Sequence, residues 1–263
     1  MIPLRAVSDD AAGRPQRALI LLALTAVTAG AWTYLLLGGG MGPDAMDMGD
    51  GSVMTMMPQW TPGYAALVLV MWIVMMAAMM LPSAAPALLK IAAAARAPAG
   101  GGIAPALCFA GGYLVVWAGV SAALTAAQWA LDAGHLLTES MAIANPPIAG
   151  GLVAAIGLYQ LTPLKQRLLE HCRAPDDCVA EERRPTARAT VRRGLRYGVA
   201  CVGCCSPMMC LLFVGGLMNV AWPAAISLWV VAEKTLPFGS GIARLGGAGL
   251  LLWAAVPVAQ ALY

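Results

Sequence analysis

The chain has 263 residues, of which 60% are hydrophobic and only 11% are charged, and its formal net charge is +3. The mean hydropathy is +0.75. A soluble domain usually carries about 25% charged residues, so this chain has too few charges to cover a globular surface. The composition therefore argues against a soluble enzyme, a disordered protein and a nucleic-acid binder, and it predicts a polytopic membrane protein.

Apolar stretches of the length that a membrane helix needs, about 20 residues, recur along the chain. The run 195–232 is too long for one helix and divides near Asn219, which makes it the fifth and sixth predicted spans. The other predicted spans are 18–37, 63–89, 103–131, 148–164 and 245–262. The prediction is an all-α membrane helix bundle of about seven transmembrane helices in a single domain, 1–263. Six spans, or a re-entrant hairpin at the fifth and sixth, are the alternatives.

Basic residues support this count. The predicted outer loop 38–62 and the segment 132–147 contain no Lys or Arg, whereas the loop 165–194 is strongly basic. All 16 Lys and Arg fall on one side if the chain crosses seven times from an inside N-terminus. We therefore expect a multi-pass protein of the bacterial cytoplasmic membrane, with the basic loop in the cytoplasm against anionic lipid rather than nucleic acid.

The first span has an alternative interpretation. The basic residues before it and the triplet Ala29-Gly30-Ala31 also resemble a signal peptide with its cleavage site. The apolar run continues past this triplet to Leu37, which favours an uncleaved helix.

Cysteines concentrate on the predicted inner side. Because none lies in an outer loop, the thiols are expected to be reduced and to serve metal binding or redox chemistry rather than a disulfide framework. Cys201, Cys204 and Cys205 form a C-x-x-C-C pattern, which places three thiols on one helix face. Met208 and Met209 extend that face by a turn. A single cysteine in a membrane helix is expected to pack like a small hydrophobic residue. Three cysteines on one face can instead converge on one soft cation.

Methionines form a second pattern in the second span. Met71, Met75 and Met79 repeat every four residues on one face, and Met76 and Met80 lie beside them. Methionine is an adaptable packing residue, but thioethers and thiolates also select Cu(I) among common metals. Counting helical rise from the inner membrane surface places Met79 and Cys204 at one depth, where they could face each other.

The predicted outer loop carries further methionines among Asp44, Asp47 and Asp50. Their M-x-M and M-x-M-M spacings resemble the methionine motifs of copper transporters and periplasmic copper carriers. A thioether binds Cu(I) without losing a proton, which suits an oxidising or acidic space. The candidate ligands in this loop are Met46, Met48, Met54, Met56 and Met57.

A few polar groups within the predicted spans are further candidates. Glu233 and Lys234 form an intramembrane ionisable pair, which is a functional candidate by default, although Lys234 could equally snorkel as a topology anchor. His171, Cys172 and Cys178 could form a metal hand-off group in the inner loop. No nucleophile elbow, phosphate loop, zinc-protease or dinucleotide motif occurs, so the sequence favours a binding protein over an enzyme.

Three blocks of this sequence carry a family resemblance. They are M-W-I-V-M-M-A-A-M-M-L-P-S-A-A-P at 71–86, Y-Q-L-T-P-L-K at 159–165 followed by H-C-R-A-P, and 194–234 with C-x-G-C-C, L-M-N and Glu233-Lys234. Together they resemble a bacterial family of predicted metal-binding integral membrane proteins, over roughly residues 63–239. The chain departs from that family at Ser206-Pro207, where the family tends to have a Trp. The resemblance implies metal binding and no particular reaction.

The sequence thus leads to a hypothesis of Cu(I) binding, with Met-rich capture outside and delivery inward to Cys201, Cys204 and Cys205. Its partners would be the lipid bilayer, the metal ion and other membrane proteins, and not nucleic acid. Two alternatives stay open. One is a membrane thiol oxidoreductase that uses the C-x-x-C-C cluster, and the other is a non-catalytic membrane subunit of a metalloenzyme complex.

Overall fold

A computed structural model describes residues 14–39, 44–47, 53–56, 59–94, 103–174 and 186–262. The secondary structure of these residues is mainly helical, with one short hairpin. Its elements in chain order are α1 (Arg14–Leu36), β1 (Asp44–Asp47), β2 (Val53–Met56), α2 (Pro62–Ala94), α3 (Ala104–Ala133), α4 (Pro146–Leu161), α5 (Pro163–Arg173), α6 (Ala187–Met209), α7 (Leu212–Gly215), α8 (Ala221–Thr235) and α9 (Gly239–Leu262).

Each predicted span overlaps a helix, but the fourth, 148–164, crosses the break between α4 and α5. The break predicted near Asn219 lies between α7 and α8. Among the described residues, four helical stretches are long and apolar enough to cross a membrane, and a fifth is obtained if α4 and α5 are one broken span. The helix α8 has 15 residues, fewer than a perpendicular crossing needs. The membrane-like character of the bundle is therefore confirmed, and the full count of seven crossings stays a prediction.

A two-stranded hairpin within the predicted outer loop was not foreseen. β1 and β2 pair antiparallel, and Met46 faces Met54 across the ladder. Met56 pairs with Asp44 in the same register. The register therefore places Met and Asp positions of the two strands side by side in the ladder.

Glycines allow α3 and α6 to pack closely. A Cβ at Gly112 would overlap the carbonyl oxygen of Val191, and one at Gly194 would overlap the carbonyl oxygen of Phe109. Small residues allow such approach between membrane helices. The contact fixes the position of α6 along α3. The helix α6 carries the three clustered cysteines.

A bend of 64° separates α4 from α5 at Thr162. Pro163 cannot continue the preceding hydrogen-bond ladder, and the Thr162 side chain caps α5 by accepting a hydrogen bond from the Lys165 amide. The bend turns α5 onto α6 and brings it to α8. Residues from α3, α5, α6 and α8 thereby converge at one buried place.

Candidate metal centre

Three thiols form the centre of the buried site. The Sγ atoms of Cys201, Cys204 and Cys205 lie within 4.8 Å of one another, and all three side chains are fully buried. A metal–thiolate bond of about 2.3 Å sets three trigonal sulfur ligands about 4 Å apart. The helix α6 therefore holds the three Sγ atoms close to the separations that one bound soft cation requires, and small side-chain movements would complete the geometry.

A fourth thiol comes from another helix. The Sγ of Cys172, in the last turn of α5, lies 3.5 Å from the Sγ of Cys204. The Sγ atoms of Cys204 and Cys205 lie 3.1 Å apart. None of the cysteines that the structure describes forms a disulfide.

Lys234 of α8 provides a positive charge at the thiols. Its Nζ lies 2.8 Å from the Sγ of Cys201 and donates to the Oγ of Ser83 at 3.2 Å. Tyr113 of α3 approaches the same sulfur, with its hydroxyl 3.2 Å from Cys201 and donating to the Met80 carbonyl at 3.3 Å. Thus Cys201 is linked to α2 through two polar side chains from other helices.

A buried ion pair lies on the other side of the cluster. Lys165 Nζ and Glu233 Oε2 are 2.7 Å apart, and both side chains are fully buried. The other carboxylate oxygen accepts from Gln160 Nε2 at 2.8 Å. Lys165 also donates to the Cys204 carbonyl at 2.7 Å. The ammonium thereby ties α8 to the backbone of the cysteine helix, because a buried charge requires such partners.

Pro207 explains a further contact at the cluster. A proline within a helix removes the donor to the carbonyl four residues earlier, here Gly203. The Tyr159 hydroxyl donates to that Gly203 carbonyl. The departure from the resembled family at Ser206-Pro207 therefore leaves α6 helical through Met209, with the freed carbonyl satisfied by α4.

The methionines of α2 are buried alongside the site. Their exposed fractions are 3% or less, and they belong to the same buried core as the cysteines. The set is Met71, Met75, Met76, Met79 and Met80. The carbonyls of Met79 and Met80 are engaged by Ser227 and Tyr113. The Tyr113 hydroxyl therefore connects the Met80 carbonyl, at the end of the methionine series, with the Cys201 thiol.

A cavity of about 140 Å³ lies at the other end of that series. Three methionines line it, Met71 and Met75 of α2 and Met218 of the turn before α8, together with the end of α1 and Gly39. Gly39 has a positive φ of 59°, and a Cβ there would lie 3.2 Å from Met71 Cγ. The glycine thus leaves the space beside Met71 open.

Several predicted residues have different surroundings from those expected. Glu233 and Lys234 do not pair with each other, because they point to Lys165 and Cys201. Lys234 is 7% exposed and does not snorkel. His171 is exposed and Cys172 is buried beside Cys204, whereas Cys178, the third residue of the expected hand-off group, lies outside the described residues.

The remaining candidates divide between the core and the loop. Met208 and Met209 are buried, and Met208 Sδ accepts from Gln160 Nε2 at 3.3 Å. Met46, Met54 and Met56 occupy the hairpin. Met48, Met57 and Cys178 lie outside the described residues.

Sequence reasoning missed Tyr113, Ser83 and Lys165 as neighbours of the thiols. In the sequence, Lys165 belongs to the basic loop and to the Y-Q-L-T-P-L-K block, and neither pattern indicates a contact with the thiols. Tyr113 stands in an apolar helix without a motif. A buried polar residue in an apolar span is the general signal that points to such groups.

Comparison with known proteins agrees with the chemistry of the site. Residues 69–257 match the sequence profile of the family PpoB2, described as copper chaperone. Neither a curated protein nor a solved structure matches the chain. The match covers more than half of the chain and includes the methionine helix, the four thiols and both buried lysines. The chain therefore belongs to the copper chaperone family PpoB2.

Proposed function

We propose that this protein binds Cu(I) at Cys201, Cys204 and Cys205 and delivers it inward across or within the bacterial cytoplasmic membrane. The observation that carries the proposal is three fully buried thiols within 4.8 Å of one another in a chain of the copper chaperone family. Soft sulfur ligands select Cu(I). Burial also keeps the metal from water and from exchange with other ligands.

The charges around the thiols support a cationic cargo. Thiolates are the form that binds metal, and three thiolates around one Cu(I) leave an excess of negative charge. Lys234 contributes a positive charge 2.8 Å from Cys201, whereas Lys165 is balanced by Glu233. The site can therefore hold a monovalent cation with most of its charge compensated inside the protein.

The methionine series supplies a route to the thiols. In this proposal the cavity at Met71, Met75 and Met218 receives Cu(I) from the hairpin methionines on the outer side. Met76, Met79 and Met80 then extend the thioether surface along α2 towards the cluster. Replacing thioethers with thiolates strengthens the ligands along the path, so the metal would move towards the cysteines.

The test is copper loading of the purified protein in detergent. The variant Cys201→Ser/Cys204→Ser/Cys205→Ser is expected to lose the tightly bound Cu(I) that the natural protein retains after desalting. Cys108→Ser is the matched control, because Cys108 lies on α3 outside the cluster. Equal copper content in the natural protein and the triple variant would overturn the proposal.

The same samples distinguish the alternatives. A thiol oxidoreductase would show a reversible disulfide among the cluster cysteines by alkylation trapping, with no retained copper. A non-catalytic subunit would bind no metal and would co-purify with fixed partners. Retained Cu(I) with thiols that alkylate only after the metal is removed supports the copper-binding proposal.

A further inference from the structure

We infer that Cys172 is the exit ligand of the site, the thiol that joins Cys204 on Cu(I) as the bonds to Cys201 and Cys205 break and so brings the metal to the end of α5. The inference rests on the proposed function, because it names the next step of that delivery. Its basis is the distance of 3.5 Å between the Sγ atoms of Cys172 and Cys204. Two sulfurs at that separation can bind the same metal ion with little movement.

Cys172 differs from the other three thiols in its element. They all lie on α6, whereas Cys172 lies in the last turn of α5, the helix that bends away from α4 by 64°. Cys172 is buried like the α6 thiols, but His171, its neighbour in the same last turn, is exposed. Cys172 is therefore at the boundary between the closed cluster and the polar end of the bundle.

The end of α5 is held at the cluster by hydrogen bonds. The Tyr197 hydroxyl donates to the Cys172 carbonyl at 3.2 Å. The Arg173 guanidinium donates to the carbonyls of Glu233 and Leu236 at the end of α8. These contacts hold the Cys172 thiol at Cys204 without making it part of the α6 face.

The transfer is a ligand exchange without change of oxidation state. A Cu–S bond forms to Cys172 while the bond to Cys204 persists, and the bonds to Cys201 and Cys205 then break. The proton that leaves the Cys172 thiol is taken up by a thiolate that the metal releases. Copper stays Cu(I) throughout, and no external oxidant, reductant or proton donor is needed.

The experiment follows copper leaving the protein. Purified protein loaded with one equivalent of Cu(I) is mixed in a stopped-flow instrument with excess bicinchoninate, a water-soluble chromogenic Cu(I) chelator. Cys172→Ser is expected to retain the copper content of the natural protein but to release copper about tenfold more slowly, because the exit ligand is missing. A tenfold slower rate corresponds to an activation free energy about 1.4 kcal/mol higher. Cys108→Ser is expected to release copper at the natural rate.

A second substitution, Cys172→Ala, guards against a folding defect caused by a buried hydroxyl. Release at the natural rate in both Cys172 variants would overturn the inference while leaving the copper site intact. Loss of bound copper in both would also overturn it, because Cys172 would then be a resident ligand. Absence of copper from the natural protein would instead overturn the proposed function.

Discussion

Lys234 and Cys201 have different roles in the proposed site. The thiol binds the metal in our proposal, and the lysine supplies charge without being a ligand. The i, i+3, i+4 spacing made the three thiols predictable from sequence alone, because it depends only on helix geometry. The lysine contacts were not predictable in the same way, since Lys165 and Glu233 are 68 positions apart and meet only through packing.

Replacing Lys234 with Leu should weaken Cu(I) binding. The substitution keeps an aliphatic side chain in the buried site, adds no metal ligand and removes the charge that lies beside Cys201. A hydrogen bond to a charged group contributes about 1.5–3 kcal/mol, which corresponds to a Kd about 10- to 100-fold higher. Competition with a Cu(I) chelator measures the Kd.

Arg244→Leu is the control for that variant, because Arg244 is an exposed positive charge on α9. It should leave the Kd unchanged. An unchanged Kd in Lys234→Leu would show that the lysine has no electrostatic role at the thiols.

Helices were the elements that the sequence predicted best. Their apolar length is a local property, and each expected span has a helix at its position. The bend at Thr162 and the hairpin were missed for different reasons. The apolar run continues through Pro163 and therefore predicts one span, although Pro163 begins a second helix. The hairpin lies in a loop whose Met and Asp residues indicate metal ligands rather than strands.

The contact between α3 and α6 gives a prediction for a single pair of adjacent glycines. Gly112→Ala places a Cβ against the carbonyl oxygen of Val191, whereas Gly111→Ala meets nothing within 4 Å. Overpacking costs about 1–3 kcal/mol. We expect Gly112→Ala to lower the Tm in detergent and Gly111→Ala to leave it close to the natural value.

The same variant should disturb the metal site, because Tyr113 follows Gly112 directly and contacts Cys201. Reduced Cu(I) affinity in Gly112→Ala, with normal affinity in Gly111→Ala, would connect helix packing to the site. Equal Tm values for the two variants would mean that α3 and α6 are not in close contact.

At the scale of the whole molecule, methionines and cysteines occupy different regions along the predicted path from the outer to the inner side of the membrane. Methionines occupy hairpin positions, and their thioethers line the cavity at Met71 and Met75 and follow α2, whereas four thiols collect where α5 and α6 meet. The orientation comes from the charge pattern, which predicts the basic segments inside. The convergence of four helices on one site was beyond sequence reasoning, because it depends on the bend and on glycine packing.

Delivery through the outer cavity can be measured in proteoliposomes whose lumen faces the basic segments, an orientation checked by protease cleavage. Cu(I) is supplied outside, and bicinchoninate is trapped inside. Met75→Leu/Met218→Leu should slow the appearance of the coloured complex, because leucine keeps the volume but removes the thioethers. Met141→Leu, a buried methionine that does not line the cavity, should have no effect.

Unchanged uptake in the double variant would show that Cu(I) does not pass the cavity. If the triple cysteine variant also took up copper at the natural rate, inward delivery through the cluster would be wrong.

The central claim is that Cys201, Cys204 and Cys205 hold the copper, and X-ray absorption at the copper K edge tests it most directly. With one equivalent of Cu(I), the natural protein should show a Cu(I) edge and a coordination shell of sulfur alone, and this shell should be lost in Cys201→Ser/Cys204→Ser/Cys205→Ser. A shell of nitrogen and oxygen in the natural protein, or an identical sulfur shell in the triple variant, would contradict the claim.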